Sequence, residues 1–173
     1  MTAKRLAVAL QNGAPDARVP PRASIRAWVR AALGGRRGEV TVRIVSAEES
    51  AALNGKYRKR SGATNVLSFP ADADTGATGE LAPVGDLVVC AAVLEREARE
   101  QGTALEAHWA HIVIHGALHL VGYDHVTARQ ARAMEARETE ILAALGFPDP
   151  YTPPPRAARA GPLACKRRAR PAR

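Results

Sequence analysis

The chain has 173 residues, of which 46% are hydrophobic, 24% charged and 4% aromatic. That is the profile of one ordinary domain burying about two thirds of its unfolded surface, and no apolar run approaches the ~20 residues of a membrane-crossing helix. The net charge of +8 is not a global basic field: residues 1–37 and 156–173 each carry +7, and the acidic body between them carries −6.

Lys4 and Arg5 followed by Leu6–Leu10 superficially resemble a signal peptide, but the apolar stretch is short and lacks a small-residue cleavage pattern. Leu6, Val8 and Leu10 alternate as in a strand, and a cytoplasmic protein is expected. Ile25, Trp28, Val29, Ala32 and Leu33 then fall at helical spacing, with Gly34 and Gly35 as the stop. Val40, Val42 and Ile44 predict a second strand. Ser46 and Glu49 form a capping box opening a helix to about Lys56. Asn65–Phe69 reads as a short strand ended by Pro70, 71–83 as a loop, and Leu87–Val89 as a fourth strand. A helix is expected from about Ala91 to Glu100, before Gly102.

Two further capping boxes, Thr103 with Glu106 and Thr127 with Gln130, predict helices stopping at Gly122 and Gly146. From Thr152 the composition turns to Pro, Ala and Arg with no apolar face, so 152–173 is expected to be a disordered basic tail behind a single domain, 1–151. Cys90 and Cys165 have no metal-ligand spacing; Cys90 ends an apolar run and reads as a small core residue. The whole predicts an α+β domain, a small four-stranded mixed sheet packed with about five helices.

All five histidines, His108, His111, His115, His119 and His125, fall within eighteen residues. His115 and His119 are four apart on one predicted helix, so their imidazoles share a face about 5–6 Å apart and can converge on one ion. Gly122 permits a turn that returns His125 as a third ligand. Three neutral nitrogens with an open fourth position are the pattern of a catalytic zinc. His111, one turn before His115, could line the pocket or donate a hydrogen bond. Asp124, beside a ligand, is a candidate general base or a residue orienting that ligand.

The string H-x-x-x-H-x-x-G-x-x-H has the ligand spacing of the metzincin peptidases. Their general-base glutamate is replaced by Gly116. Peptide hydrolysis needs that carboxylate to take and return a proton. A better leaving group, such as a sugar hydroxyl leaving phosphorus, fits this ligand set more readily. Elsewhere in the acidic body, Lys56, Arg58, Lys59 and Arg60 form a basic cluster, suited to gripping phosphate oxygens or simply a solvated helix end.

His115-Gly116-Ala117-Leu118-His119-Leu120-Val121-Gly122-Tyr123-Asp124-His125 closely resembles the signature of the bacterial YbeY family of rRNA-maturation endoribonucleases. Leu53-Asn54, Tyr57-Arg58, Thr64–Pro70, Gly85-Asp86-Leu87, Leu105–His111, Glu138–Ile141 and Pro150-Tyr151 resemble the other blocks, so the likeness covers roughly residues 5–151. The resemblance implies a zincin-like fold and a zinc-dependent endoribonuclease selective for single-stranded RNA. It implies one zinc on His115, His119 and His125, with Arg58 as the functionally important arginine. It also implies work on the 16S rRNA precursor at its 3′ end and in ribosome quality control, with the small subunit, ribosomal proteins and ribosome-assembly GTPases as partners. Ala63 stands where the family usually has proline, which predicts a looser loop after Arg58. Two other functions stay open: a zincin-type metallopeptidase, and a non-catalytic ribosome-assembly factor whose metal is structural and closed by a fourth side chain such as His111.

Overall fold

The computed structural model describes residues 6–72 and 82–152. The parts of the expected loop and tail at 73–81 and 153–173, and Cys165 with them, lie outside the described residues. Among the described residues are four strands, β1 (Ala7–Asn12), β2 (Glu39–Val45), β3 (Val66–Pro70) and β4 (Pro83–Cys90), and five helices. The helices are α1 (Arg22–Leu33), α2 (Ala47–Arg58), α3 (Ala91–Gln101), α4 (Leu105–Leu120) and α5 (Ala128–Ala144), in the order β1-α1-β2-α2-β3-β4-α3-α4-α5. This is the expected α+β class with its four-stranded mixed sheet. The sheet order is β1-β2-β4-β3. β1, β2 and β4 run parallel, and β3 joins the far edge antiparallel, from Val66 opposite Val89 to Pro70 opposite Gly85. Pro70, which has no N–H to give a ladder, sits at the end of that edge strand.

Helix α4 is apolar on nearly every side because it has neighbours on nearly every side. Trp109, Val113, Ile114, Ala117 and Leu118 are fully buried, and the helix packs against α1, α3, α5, β3 and β4. Each large side chain so covered contributes roughly 1.5–3 kcal/mol. Gly116 is what lets α4 approach the sheet: a Cβ there would lie 3.0 Å from Val66, 3.1 Å from Leu87 and 3.2 Å from Ser68. Ser68 completes the contact by donating its hydroxyl to the Gly116 carbonyl at 3.0 Å. Cys90 is buried, as expected, in a small cluster with Val45 and Val93.

Three of the expected stops share one device. Gly102, Gly122 and Gly146 all take positive φ, and the residue after each donates its N–H five residues back: Thr103 to Ala98, Tyr123 to Leu118 and Phe147 to Leu142. This device overturns one sequence reading. Thr103 is committed to closing α3, so it caps nothing; Ala104 begins α4 without a side-chain cap. The Thr127–Gln130 box forms in full. The Ser46–Glu49 box forms by half: Ser46 accepts the Glu49 N–H, while the Glu49 carboxylate pairs with Arg43 at 2.6 Å.

Candidate metal centre

His115 and His119 face one way on α4 with their Nε2 atoms 3.2 Å apart. Two imidazole nitrogens sharing a tetrahedral ion at 2.0–2.1 Å bonds stand about 3.3–3.4 Å apart. The α4 terminus supplies the third ring. Gly122, at φ +95°, reverses the chain, and the Asp124 carboxylate accepts the His125 N–H at 2.8 Å. One ligand atom from each of His115, His119 and His125 then lies within 4.8 Å of the others. The ring centroid of His125 is 5.6 Å from that of His115 and 5.0 Å from that of His119. His119 is held below its usual pKa of 6.5, first by burial and then by the neighbouring His115 and His125, against the opposing pull of Asp124. A neutral ring is the form a metal requires.

Glu138, on α5, orients the set. It is fully buried and takes three hydrogen bonds: His115 Nδ1 donates at 2.6 Å, His111 Nε2 at 3.3 Å, and the Tyr151 hydroxyl donates as well. Burial pushes its carboxyl up, and the bonds from His111, His115 and Tyr151 outweigh burial, bringing it down to about 2. An ionised carboxylate only accepts, so the proton of His115 sits on Nδ1 and its Nε2 lone pair faces His119. Burial and the Glu138 carboxylate together drive the Tyr151 phenol far above its usual pKa, so it remains a donor. Asp149 holds Tyr151 in place by accepting its backbone N–H at 2.9 Å. Sequence reasoning missed both Glu138 and Tyr151 as site residues.

The remaining candidates separate. His111 engages Glu138 through its Nε2 and sets its ring edge-on to Tyr151. His108 is buried on Glu97 at 2.8 Å, a carboxylate that also receives the Asn65 amide. Arg58 ends α2 and Lys59 follows at φ 56°. Among the described residues Lys56, Arg58, Lys59 and Arg60 form no ion pair. The loop behind them is firmly tied, despite Ala63. Buried Ser50 donates to the Thr64 carbonyl at 2.8 Å and accepts its N–H at 3.0 Å, and Asn54 donates to the Gly62 carbonyl at 2.9 Å.

A family model described as Endoribonuclease YbeY matches residues 17–146. The chain belongs to the YbeY endoribonuclease family. Relatives named Endoribonuclease YbeY include one from Methylococcus capsulatus, 54% identical over 142 residues, covering 82% of this chain and 93% of that protein. Another, from Pseudomonas entomophila, is 54% identical over 140 residues, covering 80% and 88%. A third, from Halorhodospira halophila, is 53% identical over 149 residues, covering 84% and 96%. The solution structure of TM1509 from Thermotoga maritima is 24% identical, covers 86% of this chain and 99% of that one, and gives a TM-score of 0.48. The YbeY model ends before Tyr151, so the hydroxyl on Glu138 comes from just beyond the matched segment.

Proposed function

We propose that this chain is a zinc-dependent endoribonuclease that cuts single-stranded RNA, with one zinc on His115, His119 and His125. The observation that carries the reading is the convergence of three imidazoles, one fixed in tautomer by the fully buried Glu138. The donor set, all neutral nitrogen, suits zinc. An ion held there supplies Lewis acidity toward a phosphoryl oxygen. Glu138 keeps the His115 proton on Nδ1, and Asp124 fixes the backbone of His125. Arg58 binds phosphate oxygens through its guanidinium and stabilises charge developing on them during cleavage. Lys56, Lys59 and Arg60 hold the neighbouring backbone of the strand. On the family likeness the substrate is the 3′ end of a 16S rRNA precursor. The partners are the small ribosomal subunit, ribosomal proteins and assembly GTPases, and the work is cytoplasmic.

Two observations favour this reading over its rivals. A peptidase glutamate at position 116 would have to begin in space held by Val66, Leu87 and Ser68. A closed structural metal would need a fourth side chain, and His111 turns its Nε2 to Glu138 instead. The test uses purified protein, with and without chelator, on labelled single-stranded RNA and on casein. Chelator-sensitive RNA cleavage with intact casein and about one zinc per chain is expected. Chelator-insensitive cleavage, or digestion of casein, overturns the reading.

A further inference from the structure

Next to Arg58 stands an aromatic ring that the metal centre does not use. Tyr57 is 52% exposed. Its ring is braced edge-on by Phe69, centroids 5.1 Å apart at 72°. The Lys56 ammonium lies 5.1 Å from its centre. Phe69 belongs to β3, where the glycine at 85 permits a close approach. A Cβ there would lie 2.5 Å from the Phe69 carbonyl and 2.8 Å from Leu120, the residue after His119. The brace under Tyr57 is therefore built onto the same strand end that meets the last turn of α4.

We infer that Tyr57 is a stacking platform for one unpaired base of the RNA strand, an inference that rests on the RNA-cleaving reading above. Sequence-tolerant single-strand binding combines cations along the backbone with an aromatic face under a base. Arg58, Lys59 and Arg60 supply the cations, and Tyr57 supplies the face, which the flexible Lys56 ammonium lies over and yields to the base. Because Phe69 holds the ring and the Ser50 and Asn54 bonds hold the loop after it, stacking orders little that is not already ordered. A base inside a duplex has both faces covered by its neighbours, so Tyr57 discriminates against paired RNA.

The experiment measures Kd by anisotropy, and kcat at saturation, for a labelled single-stranded oligoribonucleotide and its duplex. The proteins are wild type, Tyr57→Leu and Tyr57→Phe, and a single abasic position is scanned through the strand. Leucine keeps an apolar contact with Phe69 but offers no aromatic face. Tyr57→Leu should weaken single-strand binding roughly 5- to 150-fold, narrow the preference over duplex, and act on Kd rather than kcat. Tyr57→Phe should restore the wild-type Kd. One abasic position should weaken wild-type binding and have no further effect in Tyr57→Leu. A folded Tyr57→Leu with wild-type Kd, or an abasic penalty that is equal in both proteins, overturns the platform. If the leucine variant does not fold, the scan on wild type decides: no sensitive position means no platform. Wild-type protein that neither binds nor cleaves the oligomer removes the RNA reading itself and the platform with it.

Discussion

Replacing Glu138 by glutamine tests the metal centre where its design is most exposed. The side chain keeps its volume, but its charge is gone and one of its two heads becomes a donor facing His111, His115 or Tyr151, all donors themselves. The drop of the carboxyl from 4.5 to about 2 corresponds, at about 1.4 kcal/mol per tenfold, to on the order of 3 kcal/mol favouring the ionised form. Because the folded value is depressed, this stabilisation is present above pH 4.5 and is lost as pH falls from there toward 2. Glu138→Gln should therefore melt at lower temperature than wild type at pH 7, and the gap should close on acidification through that window. Freed from its carboxylate, His115 should also bind zinc about 10- to 100-fold more weakly. Competition titration against a chromophoric chelator measures the affinity, and calorimetry at pH 2–7 the stability. A variant with wild-type zinc affinity and a constant stability gap would refute the claim that Glu138 orients the ligand.

Arg58→Ala should keep its zinc and its melting temperature, since the side chain pairs with no described residue, while cleavage of single-stranded RNA falls roughly 10²–10³-fold; a wild-type rate would make it ordinary surface charge. Gly116→Glu should lose roughly 1–3 kcal/mol or more through overpacking against Val66 and Leu87 and gain no action on casein, whereas a stable, casein-cutting variant would revive the peptidase reading. In the metal-free protein the His119 ring, followed by NMR, should titrate with a midpoint below 6.5, because burial and then His115 and His125 disfavour its charged form; a midpoint at or above 6.5 contradicts it.

The elements were legible where local chemistry decides them. The stops at Gly34, Gly102, Gly122 and Gly146 follow from left-handed conformations that glycine adopts without strain, and the histidine spacing follows from helix geometry alone. Thr103 misled because its backbone serves the preceding helix, a competition that a four-residue pattern does not encode. The antiparallel entry of β3 beside β4 is a long-range pairing with no mark in either segment. Glu138 left a trace. It lies four residues after Met134 and three before Ile141, on the buried face of α5, so an acid occupying an apolar register was the available signal. Tyr151 left none beyond its place in a block resembling the family, because the turn made by Asp149 brings it back.

The three imidazoles stand on unequal foundations. His115 and His119 ride on α4, the most enclosed helix of the fold, so their spacing changes only when the core itself opens. His125 is exposed and hangs from a turn fastened by Gly122 and one Asp124 bond. Ion exchange should follow this asymmetry. For an ion held by the three, local opening at 122–127 would remove one bond and leave a two-toothed remnant in place, so release would need no global unfolding. Hydrogen exchange at the His125 amide, and not at those of Val113 or Leu118, would set the clock for metal turnover.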